Sequence, residues 1–367
     1  MKAIAINPGT TNVFLTDRPE PVITQNDEVK IKMLQVGICG TDREEVSGGR
    51  ASAPAGSNEL IIGHEMFGRV VETGSTVTKL KPGDYGVFTV RRGCGACVAC
   101  LNGRSDMCYT GNYTERGIKG ADGYQAEFVV DKESYLVPVP ASISDIGVLT
   151  EPMSVAAKAI DEALMIQSAR LRDFDNPDNW LHGKKALIAG IGPIGILAAF
   201  ALRLRGAEVY GLDIVPPGSI RPQVLEAIGG KYIDGNVINV TDIDDKIGQM
   251  DFAFEATGIA KLQIQIVDTL GVNAIYVATG IPGGVRPLTI SAGGLMQQLV
   301  LKNQIVIGSV NAGIRHYKQA VDYLVRSKEK WPDAIAKVIT HKVLYSDFDA
   351  VMHQHTADEI KAVISWE

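Results

Sequence analysis

The stretch "KKALIAGIGPIGILAAFALRLRGAEVYGLD", residues 184 to 213, decides the fold. Its first residues include a short apolar run, "KALIAG", which is typical of a buried parallel strand. The run ends in a G-x-G-x-x-G pattern whose members are Gly190, Gly192 and Gly195. Pro193 and Ile194 stand between the last two glycines, and proline is tolerated at the first position of a helix because its missing N–H would have no partner there. The sequence therefore predicts a strand, a glycine turn and a helix in direct succession.

The second half of the same stretch completes a unit that binds dinucleotides. The helix is predicted to run to about Leu204, Gly206 ends it, and "AEVYGL" forms a second strand that closes at Asp213. In this context the glycines let the backbone approach a pyrophosphate, whose negative charge the helix N-terminus favours. We therefore predict a doubly wound parallel sheet that binds a nicotinamide dinucleotide through the glycine turn, Pro193, Ile194 and Asp213.

Asp213 indicates which dinucleotide is preferred. A carboxylate at the end of the second strand binds the hydroxyls of the adenosine ribose and repels the 2′-phosphate of NADP. The following "IVPPG" offers no basic residue, and the nearest one downstream is Arg221. The sequence thus predicts NAD in preference to NADP. The alternative is that Asp213 only caps the turn before "IVPPG".

Three later segments continue the alternation of strands and helices. "MDFAFEATG" is predicted to end as a strand near Thr257, "NAIYVATGIPGG" near Thr279, and "QIVIGSVNAG" at Asn311. Because strand C-termini face the ligand crevice of a doubly wound sheet, we expect these three residues to line the cofactor.

Four of the five cysteines lie within "RRGCGACVACLNGRSDMC", residues 91 to 108. The spacing is C-x2-C-x2-C-x7-C, and its members are Cys94, Cys97, Cys100 and Cys108. Four thiolates with short, glycine-containing spacers favour a tetrahedral zinc ion with no open position, which is a structural site. Disulfides would close very small loops, and the C-x3-C-P ending of ferredoxin-type iron–sulfur sequences is absent. Four unrelated buried cysteines remain the other explanation.

The fifth cysteine, Cys39 in "VGICGTDREE", suggests a second metal site. A catalytic zinc takes about three protein ligands and leaves one position for water or substrate. Cys39, His64 and a carboxylate would supply that set, and the carboxylate is either Glu65 or Glu151 of "VLTEPMSVAAKAI". Taken singly, each residue has a structural explanation, as a small core side chain, a hydrogen-bonded imidazole or the start of a helix.

The composition excludes several classes of function. A formal net charge of −6 disfavours nucleic acid and anionic membranes as partners. The opening "MKAIAINPGT" lacks the apolar core of a signal peptide. The most apolar stretch, residues 186–204, is interrupted by three glycines and a proline, and we expect a buried strand and helix there instead of a membrane span. These features predict a cytoplasmic protein whose partner is a small molecule.

Several segments resemble those of a known family in the same order. "GICGTD", "GHEMFGRVVETG", "KPGDYGV", "CGACVACLNGRSDMC" and "IAGIGPIG" resemble the zinc-containing medium-chain dehydrogenases/reductases over essentially the whole chain. "FTVRRGCG", "ERGIKGADGYQAEF", "VLTEPM" and "GSVNAGIRHY" resemble archaeal-type glucose 1-dehydrogenases in particular. The resemblance implies a β-rich, GroES-like catalytic domain at residues 1–155, with a structural zinc lobe at about 91–110. A Rossmann domain at 156–312 and a segment at 313–367 that returns to the catalytic domain would complete the chain.

The resemblance also implies roles for individual residues. The catalytic zinc would be held by Cys39, His64, Glu65 and Glu151, and the structural zinc by the four-cysteine cluster. Asp42 would orient the ligand histidine, and the hydroxyl of Thr41 would contact the substrate oxygen and begin proton release. The remaining contacts to sugar or nicotinamide would come from Glu115, Glu151 and Asn311. A homo-oligomer, either dimer or tetramer, is expected.

The implied reaction is zinc-assisted hydride transfer from C1 of an aldose to NAD(P), which gives an aldonolactone. Two positions depart from the resemblance: Val90 stands where some of these enzymes have a sugar-binding Asn, and Asp213 stands where several have Asn followed by Arg for NADP. We therefore expect a different aldose preference and a different cofactor balance. Oxidation of a polyol or secondary alcohol by the same machinery is the main alternative. A relative that has lost its catalytic metal is disfavoured because Cys39 and its candidate partners are all present.

Overall fold

The computed structural model describes residues 1–171, 179–284, 287–353, 356 and 358–367. These residues form two compact units. The first consists of Met1–Ser154, Asn311–Lys328 and Ile339–Glu367. The second consists of Val155–Val310 and Glu329–Val338.

Strands supply most of the framework. They are β1 (Lys2–Ile6), β2 (Val13–Asp17), β3 (Glu28–Ile38), β4 (Leu60–Ile61), β5 (Glu65–Thr73), β6 (Tyr85–Phe88), β7 (Arg91–Arg92), β8 (Thr114–Arg116), β9 (Gly120–Ala121), β10 (Phe128–Lys132), β11 (Leu136–Val139), β12 (Lys185–Ala189), β13 (Glu208–Asp213), β14 (Lys231–Asp234), β15 (Met250–Glu255), β16 (Leu270–Ala278), β17 (Ile305–Gly308), β18 (Ile339–Leu344) and β19 (Lys361–Ser365).

The helices are more numerous in the second half of the chain. They are α1 (Gly40–Val46), α2 (Val98–Leu101), α3 (Thr150–Leu171), α4 (Pro193–Leu204), α5 (Ile220–Ala227), α6 (Ile243–Ile247), α7 (Ala260–Gln265), α8 (Ala292–Leu301), α9 (Ile314–Lys330), α10 (Pro332–Ala336) and α11 (Asp349–Met352). Among the described residues, no helix combines the length and the apolar character needed to cross a membrane.

The first unit is β-rich. Its largest sheet has the order β11-β6-β5-β3-β19-β18, with β10 also paired to β3. Strand β3 pairs antiparallel with both β5 and β19, and most of its apolar side chains are fully buried. Two smaller sheets, β2-β1-β4 and β7-β8-β9, complete this unit. Strand β3 therefore ties the N-terminal segment to β19, near the far end of the sequence.

The second unit contains one parallel sheet of six strands. Its order is β14-β13-β12-β15-β16-β17, and every pairing is parallel. The order reverses between β12 and β15, which is the point where doubly wound sheets bind their ligands. Helix α4 follows β12 directly and buries every residue from Ile196 to Leu202, so the glycine turn is held between two elements of the core. The predicted combination of a β-rich domain with a doubly wound parallel sheet is confirmed.

Helix α3 runs to Leu171, and residues 172–178, which follow it, lie outside the described part of the chain. One segment differs from the sequence-based expectation. Residues 313–367 do not all belong to the first unit, because Glu329–Val338 joins the second. The reason is packing: Trp331 contacts Phe200 of α4 edge-on, with ring centroids 5.9 Å apart, and Ile335 of α10 is fully buried.

Candidate metal and cofactor sites

Cys39 occupies the N-cap position of α1. Its Sγ accepts a hydrogen bond from the backbone N–H of Thr41 at 3.1 Å, and its own N–H donates to Oδ2 of Asp42 at 2.8 Å. This reciprocal capping satisfies helix N–H groups that would otherwise lack partners. The consequence is that the thiol is held in one orientation by the start of the helix.

His64 lies directly opposite this thiol. The Nε2 atom of His64 is 3.0 Å from Sγ of Cys39, and His64 precedes β5, which begins at Glu65. The donor atoms of Cys39, His64 and Glu65 lie within 4.8 Å of one another. One sulfur, one imidazole nitrogen and one carboxylate oxygen are donors that zinc accepts, so these residues fit a zinc ion.

Asp42 supports the histidine from the other side of the ring. Its Oδ1 atom lies 3.5 Å from Nδ1 of His64, and both residues are buried. Burial opposes charge on the imidazole, but the thiol of Cys39 and the carboxylate of Asp42 outweigh it and raise the pKa of His64 well above its ordinary value. The geometry alone shows that Nε2 of His64 faces the sulfur and Nδ1 faces the carboxylate, an orientation expected for a metal-binding histidine.

Glu65 is already engaged in an ion pair that the sequence analysis did not find. Both carboxylate oxygens accept hydrogen bonds from Nζ of Lys361 on β19, each at 2.7 Å. The two side chains are 1% and 2% exposed, so the pair is shielded from water. The clue in the sequence is a lysine within the apolar run "IKAVIS".

Glu151 lies in the first turn of α3 and is buried. Burial, together with the neighbouring Glu65, raises the pKa of Glu151 to about 7, although His64 and Lys361 act in the opposite direction. The charges of His64, Glu65 and Lys361 thus act on Glu151, but its oxygens do not belong to the group of donor atoms within 4.8 Å of one another. The structure thus assembles three of the four predicted ligands closely, with Glu151 beside them.

The four-cysteine cluster forms a second candidate metal site. The sulfur atoms of Cys94, Cys97, Cys100 and Cys108 lie within 4.8 Å of one another, and all four are free thiols. Two glycines make this close approach possible. Gly95 has a φ of 72°, and a Cβ on Gly93 would come within 2.4 Å of Sγ of Cys100. Four sulfurs fit a closed zinc site.

Glu115 and Asn311 meet in a polar cluster of the first unit. Oε1 of Glu115 accepts a hydrogen bond from Nδ2 of Asn311 at 2.8 Å and from the guanidinium of Arg91 at 2.9 and 3.1 Å. Asn311 does not end a strand as expected, because β17 stops at Gly308 and the φ of Asn311 is 61°. Val90, which stands where a sugar-binding Asn was expected, is buried.

The glycine turn has the close contacts that its pattern predicts. A Cβ on Gly195 would lie 1.9 Å from the carbonyl oxygen of Gly190, and Gly190 itself has a φ of 86°. Gly192 caps α4, and Pro193 and Ile194 form its first turn. The backbone N–H groups at this helix start are available to an anion such as a pyrophosphate.

Asp213 ends β13 and binds the glycine turn. Its Oδ2 accepts a hydrogen bond from the N–H of Ile191 at 3.0 Å, and its Oδ1 accepts one from Ile214 at 2.7 Å. Nη1 of Arg221 lies 3.7 Å from Oδ2. The expectation that no basic residue stands beside Asp213 was therefore wrong: the turn between β13 and α5 brings Arg221 back to the strand end.

Thr257 and Thr279 both follow strand ends and are linked by Glu255. Oε1 of Glu255 accepts from the N–H and the hydroxyl of Thr257, each at 2.6 Å, and the hydroxyl of Thr279 donates to the Glu255 carbonyl at 2.7 Å. Glu255 is fully buried, and the sequence analysis missed it. Its acidic position at the end of the apolar run "FAFE" was the available signal.

Comparison with known protein families agrees with this architecture. The family described as "Alcohol dehydrogenase GroES-like domain" matches residues 25–141, and the family described as "Glucose dehydrogenase C-terminus" matches residues 144–366. The fold and the two thiol-containing sites define a zinc-containing medium-chain dehydrogenase/reductase, and the chain belongs to the glucose dehydrogenase branch of that family.

Individual relatives cover nearly the whole chain. Glucose 1-dehydrogenase of Methanocella arvoryzae is 37% identical over 347 residues, which are 94% of this chain and 93% of that protein. Glucose 1-dehydrogenase 2 of Vulcanisaeta moutnovskia is 36% identical over 367 residues and covers 99% of both chains. The solved structure of Haloferax mediterranei glucose dehydrogenase in complex with NADP, Zn and gluconolactone matches with a TM-score of 0.89 and 32% identity, over 100% of this chain and 99% of that one.

Proposed function

We propose that this protein is a zinc-dependent glucose 1-dehydrogenase-like enzyme that oxidises an aldose at C1 to the aldonolactone and reduces NAD(P). The observation that carries the proposal is the Cys39–His64 pair, whose donor atoms are 3.0 Å apart and whose helix cap and carboxylate partner hold them in place. The similar enzyme of Haloferax mediterranei was solved with NADP, Zn and gluconolactone, and a gluconolactone is what C1 oxidation of glucose yields.

In this proposal Cys39 and His64, with a carboxylate from Glu65 or Glu151, hold the catalytic zinc. The zinc supplies Lewis acidity that favours loss of the proton from the substrate hydroxyl. Thr41 follows the ligand cysteine by two residues and is only partly buried, so its hydroxyl is suited to take that proton and pass it to water. The carboxylate of Asp42, whose Oδ1 lies 3.5 Å from Nδ1, would orient the imidazole of His64.

A second zinc is proposed for the four-cysteine lobe, which gives two ions per chain. All four donors are thiols, so no position remains for substrate and the role is structural. Cys97 is the N-cap of α2 and Cys100 lies within that helix, so the metal would fix a helix of only four residues. A helix this short does not form stably without such tertiary support.

We propose that the cofactor is bound by the glycine turn and by four side chains, and that NAD is preferred over NADP. The four side chains are those of Asp213, Thr257, Thr279 and Asn311. The carboxylate of Asp213 disfavours a 2′-phosphate, but Arg221 offsets part of that charge. The preference is therefore expected to be moderate, and NADP should remain usable. For the sugar we propose Glu115, Asn311 and Glu151 as contacts.

Three further features complete the proposal. Free cysteines throughout support a reducing, cytoplasmic location. Exposed apolar side chains on α8, among them Met296 and Val300, support a homo-oligomer. Neither nucleic acid nor a membrane is proposed as a partner, given the net charge of −6.

The test is a substrate screen that compares aldoses, polyols and secondary alcohols with NAD and with NADP, in the wild type and in Thr41→Val. We expect lactone formation from an aldose, and a large loss of kcat in Thr41→Val. Arg43→Lys, a neighbouring change that leaves the hydroxyl in place, serves as the control. Oxidation confined to polyols or simple alcohols would favour the alternative, and inactivity with every substrate and both cofactors would overturn the proposal.

A further inference from the structure

Arg91 joins the four-cysteine lobe to the polar cluster of Glu115 and Asn311. Its Nη1 donates to the backbone carbonyl of Asp106 at 2.7 Å, and this bond is buried. Its Nε and Nη2 donate to Oε1 of Glu115 at 3.1 and 2.9 Å. The Arg91 side chain is only 9% exposed. One guanidinium therefore binds two acceptors at once, because its donors form a rigid planar fork.

The carbonyl of Asp106 is placed by the fold of the lobe itself. Asp106 lies in the 3-10 turn Ser105–Met107, which directly precedes Cys108. Arg104, the residue before this turn, donates its N–H to the carbonyl of Ala99 in α2 at 2.8 Å. The turn thus lies between two segments that carry the thiols. A zinc ion bound by those thiols would fix the turn, and with it the carbonyl that the guanidinium binds.

At its other end the guanidinium fixes one oxygen of Glu115. Arg91 and Glu115 are direct cross-strand partners on β7 and β8, and the ring of Tyr113 lies 4.0 Å from the guanidinium carbon. Nδ2 of Asn311 donates to the same Oε1 at 2.8 Å. Among the described residues Oε2 of Glu115 has no hydrogen-bond partner. This second oxygen is therefore free to accept a hydrogen bond from a sugar hydroxyl.

We propose that Arg91 is a positioning residue through which the zinc-loaded four-cysteine lobe holds Glu115 in the orientation that binds the sugar. Without the metal the Asp106 carbonyl is no longer fixed, the guanidinium loses one of its two anchors, and sugar binding weakens. The inference rests on the proposed function, which takes Glu115 as a sugar contact. It gives the lobe an effect on substrate affinity in addition to its effect on stability.

The test is a double-mutant cycle in the whole chain with Arg91→Met, Cys97→Ser and the two combined, measured below the melting temperature of each protein. The substrate is the aldose that the wild type oxidises best. Each single variant should raise its KM by about tenfold, roughly the effect of losing one hydrogen bond to a charged group, and should change kcat by less than about threefold. A general loss of folded enzyme would lower kcat instead. The double variant should match Arg91→Met, because both changes act on the same contact.

Ala96→Ser changes an exposed residue of the lobe, keeps all four thiols and should retain the wild-type KM. An unchanged KM in either folded single variant overturns the proposal, as does a double variant whose KM rises by about a hundredfold, since independent effects multiply. If Arg91→Met does not fold, Arg91→Lys replaces it, because lysine keeps the charge and lacks the planar fork. If Cys97→Ser does not fold, an unchanged KM in the arginine variant still decides against the proposal.

Hydrogen–deuterium exchange supplies a readout that needs no turnover. Zinc analysis first confirms that Cys97→Ser has lost one ion per chain. The backbone of residues 113–121, which include β8 and β9, should then exchange faster in Cys97→Ser and in Arg91→Met than in the wild type and in Ala96→Ser. If the wild type oxidises no aldose, the proposed function fails. The exchange comparison then decides alone whether the lobe holds the Glu115 strand, and equal exchange rates would show that it does not.

Discussion

The backbone N–H of Ile191 donates to the carboxylate of Asp213 across 3.0 Å, which joins the glycine turn after β12 to the end of β13. The carboxylate therefore has a structural role, and it also carries a negative charge at the proposed dinucleotide site. Asn in this position removes the charge and keeps one acceptor oxygen, which can retain the hydrogen bond from Ile191 while the bond from Ile214 is lost.

We expect the wild type to prefer NAD over NADP by about tenfold in kcat/KM, or about 1.4 kcal/mol, because Asp213 repels the 2′-phosphate and Arg221 offsets part of that repulsion. Asp213→Asn should bring the ratio close to one, and Arg221→Gln should raise the preference for NAD. Steady-state kinetics with both cofactors at low ionic strength measures this. Equal use of both cofactors by the wild type, or a kcat/KM ratio that neither substitution changes, would mean that the carboxylate of Asp213 does not determine the cofactor preference.

The glycine turn yields a prediction with an internal control. Gly195→Ala places a methyl group 1.9 Å from the carbonyl of Gly190, so it should destabilise the protein by about 1–3 kcal/mol. Gly192→Ala has no atom within 4 Å of its Cβ and should leave the melting temperature nearly unchanged. If the cofactor backbone approaches there, Gly192→Ala should weaken NADH binding instead. Thermal melts and NADH fluorescence titrations distinguish the two effects, and equal melting losses would contradict the assignment.

Cys97→Ser should lower the melting temperature because it removes one of four thiolates from the proposed structural zinc. Structural zinc contributes to folding free energy directly, and a loss of a few kcal/mol corresponds to a decrease of roughly 5 °C or more. Zinc content should fall from two ions per chain to one. Ala96→Ser changes an exposed neighbour and keeps all four thiols, so it should have no effect. A melting point unchanged by Cys97→Ser would refute the structural role.

His64→Ala and Cys39→Ala should each abolish turnover, with a loss of one zinc per chain. NADH binding should persist, because the glycine turn belongs to the other compact unit. The proposed metal donors are removed in these variants, so a residual kcat within tenfold of the wild type would be incompatible with the mechanism. His341→Ala, which alters a histidine on β18 outside the site, is the matched control.

Glu45 on α1 gives a prediction about pH. Its carboxyl is fully buried, and neither oxygen has a hydrogen-bond partner among the described residues. Burial, reinforced by the charge of Asp42, raises its pKa from 4.5 to about 9. The folded protein thus retains a proton that the unfolded chain releases. The proton on Glu45 therefore contributes to the free energy of unfolding. This contribution is complete below about pH 4.5 and is lost progressively as the pH rises to about 9.

Glu45→Gln keeps the shape and removes the titration. Its free energy of unfolding, compared with that of the wild type, should increase with pH by up to about 1.4 kcal/mol per pH unit. Urea unfolding between about pH 5 and pH 9 measures the difference. Glu44→Gln changes the exposed neighbour, and its free energy of unfolding should have the same pH dependence as that of the wild type. Parallel curves for all three proteins would show that Glu45 does not retain its proton.

The features that could be predicted from the sequence are those whose partners are close along the chain. Three features of this kind each lie within about twenty residues: the glycine turn, the four-cysteine cluster and the helix after Pro193. The spacing of residues along the chain is enough to predict their geometry. Cys39 and His64 were identified by residue type, and the structure brings them together across 25 positions.

Contacts between distant segments were not predictable in this way. Lys361 and Glu65 are 296 positions apart, and only the pairing of β5 and β19 with β3 brings them together. Arg221 was visible as a nearby basic residue, but the direction of α5 after its turn decides that it faces Asp213. Residues 329–338 belong to the second unit, where Trp331 packs on Phe200, and this contact between residues 131 positions apart was not predictable from local spacing either.

The location of β19 has a consequence for biosynthesis. This strand is inserted between β3 and β18, so the largest sheet of the first unit cannot close until residues 361–365 have left the ribosome. The parallel sheet of the second unit needs nothing beyond β17 for its strands and is available earlier. Domains generally fold in the order in which they are synthesised. Here the largest sheet of the first unit is completed late although most of its strands are made first. Lys361, the counter-ion of Glu65 among the described residues, is synthesised 296 positions after it.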